Sequence, residues 1–243
     1  MYQSTEVIHI LKLIVAALAG ALAGASIAPV FNNIPGKWLS DYGEPPVPGR
    51  GSGKRRIDAP VLTLVFGAGM SYAAILAMST HGLAEAMAIT AALWLLLFTA
   101  IADGKYMIIP DQTVALLAAI ALMYAFIKAA TEHGSESPGT ALSTVIADSL
   151  QGMLIASGIY ILIGVIGRIL GKKETLGFGD IKLLAAAGLL CGSQGAVFIV
   201  MGTALFSAVG FSGQMLFSKL SFGDEKALGP YISLSCAVYL LVL

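Results

Sequence analysis

The chain has 243 residues, of which 57% are hydrophobic and only 12% charged, with a mean hydropathy of +0.86, whereas soluble domains keep roughly a quarter of their residues charged. A soluble protein is thereby excluded, and the expected fold is all-α, a polytopic membrane helix bundle in the lipid bilayer. The 14 basic and 14 acidic side chains cancel, so the placement of charge carries more information than its sum, and no nucleic-acid partner is expected.

Apolar segments occur at about 8–29, 60–79, 84–102, 112–130, 144–168, 181–191, 195–217 and 228–243. At ~20 residues per crossing this predicts about eight transmembrane segments, as helices, because an open chain in lipid must satisfy its own backbone. The first segment follows Glu6 and His9 in place of a basic leader and exceeds the length of a signal core, so it is read as a retained span. Three regions are expected: a first transmembrane helix over 1–32, a short cytoplasmic Pro/Gly/basic loop over 33–59, and a membrane core over 60–243. The loop holds Pro45-Pro46-Val47-Pro48 and then Lys54-Arg55-Arg56, a triplet read as a topology anchor. Segment 181–191 is too short to stand upright across the bilayer. It ends at Gly192-Ser193-Gln194-Gly195, so a partial span or a continuation into the next segment are both open.

Basic residues favour alternate loops: Lys37, Arg50 and 54–56 in the first, Lys105 in the third, Arg168, Lys172 and Lys173 in the fifth, Lys219 and Lys226 in the seventh. Glu85, Glu132 and Glu136 fall in the even loops, with only Lys128 near them. The positive-inside rule then makes the odd loops cytoplasmic and both termini external. His9, His81 and His133 fall on the outer side and are not expected to contribute chemistry. Cys191 and Cys236, inside apolar runs, are too few for a metal cluster or a disulfide framework and read as small core residues.

Two carboxylates at the cytoplasmic ends of apolar segments are the candidates for chemistry. Asp103 ends one run and begins Asp103-Gly104-Lys105-Tyr106-Met107-Ile108-Ile109-Pro110-Asp111, while Asp180 closes Gly177-Phe178-Gly179-Asp180. An ionisable group near hydrocarbon depth costs at least ~2.5 kcal/mol, so it normally faces a wet cavity with a partner or a task. Asp111, after Pro110, reads as a cap on the next helix, and Asp180 sits at a helix N-terminus, where the dipole favours an anion. Asp103 fits neither description. At a helix C-terminus a carboxylate meets the negative end of the dipole, so a partner such as Lys105 or Lys182, or a catalytic role, is required. If Asp103 and Asp180 face one another their ionisation is coupled, with one carboxyl protonated and the other an anion. That arrangement suits hydrolysis of a peptide without a metal.

The runs Asp103 to Asp111 and Gly177-Phe178-Gly179-Asp180-Ile181-Lys182, together with Leu228-Gly229-Pro230-Tyr231, resemble the signature stretches of the type IV prepilin peptidases. These are bacterial inner-membrane aspartic proteases sharing Gly-x-Gly-Asp with presenilin-like and preflagellin peptidases. The resemblance implies Asp103 and Asp180 as the catalytic pair, with Gly177, Gly179, Lys182, Pro110 and Asp111 shaping the site. It also implies a prepilin or pseudopilin substrate, cut after a short basic leader at the cytoplasmic face. Many members carry two Cys-x-x-Cys pairs binding zinc; the first loop here has no cysteine, so that metal is not expected. Those members also methylate the new N-terminus with S-adenosylmethionine, and Thr63 stands where they have glutamate, which leaves methylation open. A proton-coupled transporter using the paired aspartates and a non-catalytic pilus or secretion assembly factor are the alternatives.

Overall fold

A computed structural model describes residues 2–39, 57, 60–131, 138–170, 177–217 and 226–242. The Pro/Gly-rich stretch, the triplet 54–56, and Glu132, His133, Glu136, Lys172, Lys173 and Lys219 lie outside them. The described residues form α1 (Tyr2–Asn33), α2 (Pro60–Thr80), α3 (Leu83–Tyr106), α4 (Asp111–Thr131), α5 (Pro138–Ile169), α6 (Phe178–Phe217) and α7 (Gly229–Val242), with one 3-10 turn at Gly36–Leu39. No strand occurs among the described residues. Six helices are long and apolar enough to cross a bilayer, and α7 is shorter.

The eight apolar segments become seven helices because 181–191 and 195–217 belong to α6. As a straight rod its 40 residues would run about 60 Å, twice a ~30 Å hydrocarbon core. Gly192 breaks it with φ 71° and ψ −173°. The left-handed φ suits glycine, and the side-chain space is already filled by the Asp148 carboxylate. Asp148, on α5, accepts from the Ser193 amide at 3.2 Å and from its hydroxyl. It thus caps the second arm at the break.

The direction of that second arm follows from its neighbours. Gly195 lies against Tyr239, Gly202 against Ser235 and Gly210 against Tyr231. Arm and α7 are therefore antiparallel, with Gly210 level with the start of α7. The first arm is antiparallel to α5, Gly188 meeting Gly152 and Gly192 meeting Asp148. Since the start of α7 and the start of α6 share one end of the bundle, as the next subsection describes, α6 turns back on itself at Gly192. Glycine pairs allow these close approaches, as small residues do between helices in lipid, where backbone contact and dispersion replace a hydrophobic driving force.

Two compact units divide the chain at residues 98 and 99, α3 running through both. In the first, Gly20 and Gly24 of α1 rest on the backbone of α2 at Met70 and Phe66. The Trp94 indole of α3 donates to the Ala23 carbonyl at 2.9 Å, and Phe31 meets Phe98 edge-on at 5.4 Å. The second unit contains every residue singled out above as a candidate for chemistry.

Candidate active site

Asp103 lies in the last turn of α3 and is 5% exposed. The sequence alone leaves it facing an unfavourable dipole, and the structure supplies the missing partner from another helix. α7 begins at Gly229 with Pro230 next, so its first amide has no partner within the helix. The Gly229 N–H donates to Asp103 Oδ2 at 2.7 Å. The C-terminal turn of one helix thus carries the N-terminal cap of another, and the positive end of the α7 dipole offsets the negative end of α3. Lys182, one of the two lysines weighed as a partner for Asp103, pairs with Asp111.

Close approach at this contact depends on glycine. A Cβ on Gly229 would stand 2.7 Å from Asp103 Oδ2 and 3.0 Å from its Cβ and Cγ, whereas one on Gly104 would reach only Pro230 Cγ, at 3.8 Å. One turn deeper, Thr99 donates to Thr113 at 3.1 Å, and Thr113 bonds the Pro110 carbonyl through its hydroxyl at 2.8 Å. Pro110, which is buried, therefore ties the start of α4 to α3. Met107, between Asp103 and Pro110, ends α3 with φ 54°.

Asp180 lies in the first turn of α6. Its Oδ2 turns toward Gly177, where a Cβ would come within 3.1 Å, and the Gly177 backbone hydrogen-bonds to the carboxylate. Its Oδ1 is buried with no hydrogen-bond partner among the described residues. A Cβ on Gly179 would meet Ile109 at 3.2 Å. The second glycine thus lets the Asp103–Asp111 run pack against the start of α6. Lys182, one turn on, reaches Asp111 Oδ1 at 2.8 Å and passes 4.5 Å from the Phe178 ring centroid. This exposed pair links the N-termini of α4 and α6.

Asp103 and Asp180 lie within electrostatic reach of one another, and Tyr160 of α5 lies within reach of Asp180. Tyr160 is 7% exposed. From its level α5 continues to Ile169, nine further residues or about 13 Å, so α5 alone overhangs the level of the carboxylates, which lie at the ends of α3 and α6. The structure thus brings together Asp103, Asp180, Gly177, Gly179, Pro110, Asp111 and Lys182 in one unit. Sequence reasoning missed the role of the Gly229 amide, although Gly229-Pro230 at a helix start was a visible signal, and it passed over Tyr160 and Asp148. No group of three or more His, Cys, Asp or Glu with metal-holding geometry occurs among the described residues.

The chain is similar in sequence to known proteins. The sequence model of the Type IV leader peptidase family matches residues 90–212, a stretch holding both aspartates. Two curated proteins described as prepilin leader peptidase/N-methyltransferase, from Aeromonas salmonicida strain A449 and from Aeromonas salmonicida, are each 26% identical over 148 residues. Those residues are 61% of this chain and 46% of each relative, so the similarity spans about half the length of these proteins. No solved structure matches.

Proposed function

The chain belongs to the type IV leader peptidase family, and from that premise we propose that it is an aspartic endopeptidase removing the leader of prepilin-like substrates at the cytoplasmic face of a bacterial inner membrane. One observation carries the assignment to particular residues: the buried Asp103 and the half-buried Asp180, from motifs far apart in sequence, lie within electrostatic reach of one another in one helical unit, and Oδ1 of Asp180 is buried without a partner among the described residues. Two like charges sharing a small site cannot both form easily, so the proposed resting state has one member protonated and the other an anion. The anionic member takes a proton from a water molecule as the water oxygen attacks the scissile carbonyl carbon, and the protonated member donates to the carbonyl oxygen. When the tetrahedral intermediate collapses, the amide nitrogen receives a proton, the C–N bond breaks and the pair returns to its starting state.

The surrounding residues hold this arrangement. The Gly229 N–H fixes one oxygen of Asp103, and the unpartnered Oδ1 of Asp180 is free to meet a water or a carbonyl. The absence of a side chain at Gly177 leaves room beside Asp180 Oδ2, and at Gly179 it lets Ile109 pack against the start of α6. Lys105, Arg168, Lys182 and Lys226 belong to the same end of the bundle, which supports a cytoplasmic location for it under the positive-inside rule. A peptide bond just outside a substrate's apolar helix can then reach the pair while that helix stays in lipid.

Both relatives are described as N-methyltransferases as well as leader peptidases, and the same activity in this chain would draw on S-adenosylmethionine as its methyl donor. Thr63, in the first turn of α2, has a neutral hydroxyl where a carboxylate would pair with a cationic cofactor or an amine substrate.

The test is co-expression with a prepilin. Asp103→Asn and Asp180→Asn should each leave the protein in the membrane and abolish leader removal, read by mass spectrometry of the substrate N-terminus. Undiminished cleavage by either variant would overturn the assignment.

A further inference from the structure

The two cysteines of the chain, which the sequence separates by 45 positions, meet beside the reversal of α6, part-way along α5 and α7. Cys191 Sγ and Cys236 Sγ are 3.5 Å apart. Cys191 is the last residue before the break at Gly192, and Cys236 is fully buried on α7. Tyr239 packs over Gly195 beside them, and Asp148 and Ser193 lie at the same level. A contact at this distance also suits two reduced thiols. A disulfide requires about 2.05 Å between the sulfurs, so the gap to close is about 1.5 Å. Small side-chain rotations on two helices that already touch can supply that movement.

We propose that Cys191 and Cys236 form an intramolecular disulfide joining the first arm of α6 to α7. The oxidant is a disulfide-bearing molecule of the thiol-exchange class. One cysteine thiolate attacks the oxidant's disulfide, forming a mixed disulfide and releasing one thiol. The other then attacks the protein-side sulfur and releases the second thiol. Two electrons and two protons leave the protein, and the oxidant is reduced to two thiols.

The position gives the bond a structural consequence. The first arm of α6 carries Asp180 at its other end, and α7 begins with the amide that holds Asp103. Joining these helices near the reversal fixes their axial register, and with it the setting of the two carboxylates. The bond itself does not depend on the proposed peptidase activity.

Full-length protein in membrane vesicles is exposed to oxidised glutathione, quenched in acid, unfolded in detergent and alkylated with a maleimide, then weighed intact. The oxidised sample should carry no maleimide or glutathione and lack two hydrogens relative to the reduced chain, which should carry two maleimides. Cys191→Ser and Cys236→Ala should never form the intramolecular bond. Each should retain one thiol, found as either a maleimide or a glutathione adduct. Two maleimides, or glutathione attached without an internal bond, on the oxidised wild-type chain would overturn the proposal.

Discussion

Replacing Gly229 with alanine tests how Asp103 is held, because the donor and the obstruction would then belong to one residue. The new Cβ would stand 2.7 Å from Oδ2 and 3.0 Å from both Cβ and Cγ of Asp103. The Gly229 N–H meanwhile holds Oδ2 at 2.7 Å. A carbon and a carboxylate oxygen do not approach so closely, so the side chain must retreat by roughly half an ångström, and it cannot do so without stretching the hydrogen bond. Overpacking costs about 1–3 kcal/mol, and a hydrogen bond to a charged group is worth about 1.5–3 kcal/mol. Relaxation of α7 recovers part of both, so the expected destabilisation is about 1–3 kcal/mol. Activity should suffer more. Misplacing a reacting group by about 1 Å can lower a rate by ~10²-fold, so the smaller shift here predicts roughly a 10-fold to 100-fold loss in kcat. Gly104→Ala serves as the control, since its Cβ would meet Pro230 only at 3.8 Å and its rate should stay within about twofold of wild type. Initial rates of leader removal in detergent, with thermal unfolding measured in parallel, give both quantities. If Gly229→Ala cleaves as fast as Gly104→Ala, the contact does not position Asp103 and the argument fails.

Lys182→Met should cost no more than about 1 kcal/mol, since the pair with Asp111 is solvent-exposed, and should lower the cleavage rate only a few-fold; a complete loss would mean that the lysine takes part in the chemistry. Met107→Gly should raise the unfolding midpoint by relieving the left-handed φ of 54°, worth about 1 kcal/mol, and an unchanged or lower midpoint would show that the exposed methionine side chain matters more. Gly152→Ala would push a methyl group into the backbone of the first arm of α6 at Gly188 and Gly192. A loss of about 1–3 kcal/mol or more is expected in a detergent unfolding assay, and wild-type stability would refute the close packing. Asp148→Ala should destabilise the reversal by about 0.5–2 kcal/mol through loss of the cap on Ser193, read in the same assay.

Much of this protein was legible in its sequence because a bilayer imposes strong local rules. Long apolar runs had to become helices, since lipid offers no partner for a free amide or carbonyl. The scarcity of carboxylates drew attention to Asp103 and Asp180 for the same reason. Gly177 and Gly179 were visible through the motif they share with Asp180, and the run from Asp103 to Asp111 as an interrupted helix. Other features had no periodic signature because their partners come from distant helices. Asp103 seemed misplaced at a C-terminus until the α7 amide, 126 positions later, met it. Lys182 had several carboxylates within plausible reach, and only packing selected Asp111. Gly192 marked a boundary in the sequence, but a glycine codes equally for a pause or a reversal, and the choice rests on Asp148 and on the antiparallel contacts with α7. Hydropathy and local charge thus determined which segments enter the membrane and which residues were too costly to be there without cause. The partner of each polar group was a tertiary decision, because a hydrogen bond depends on positions within a few ångströms that sequence spacing across separate helices does not encode.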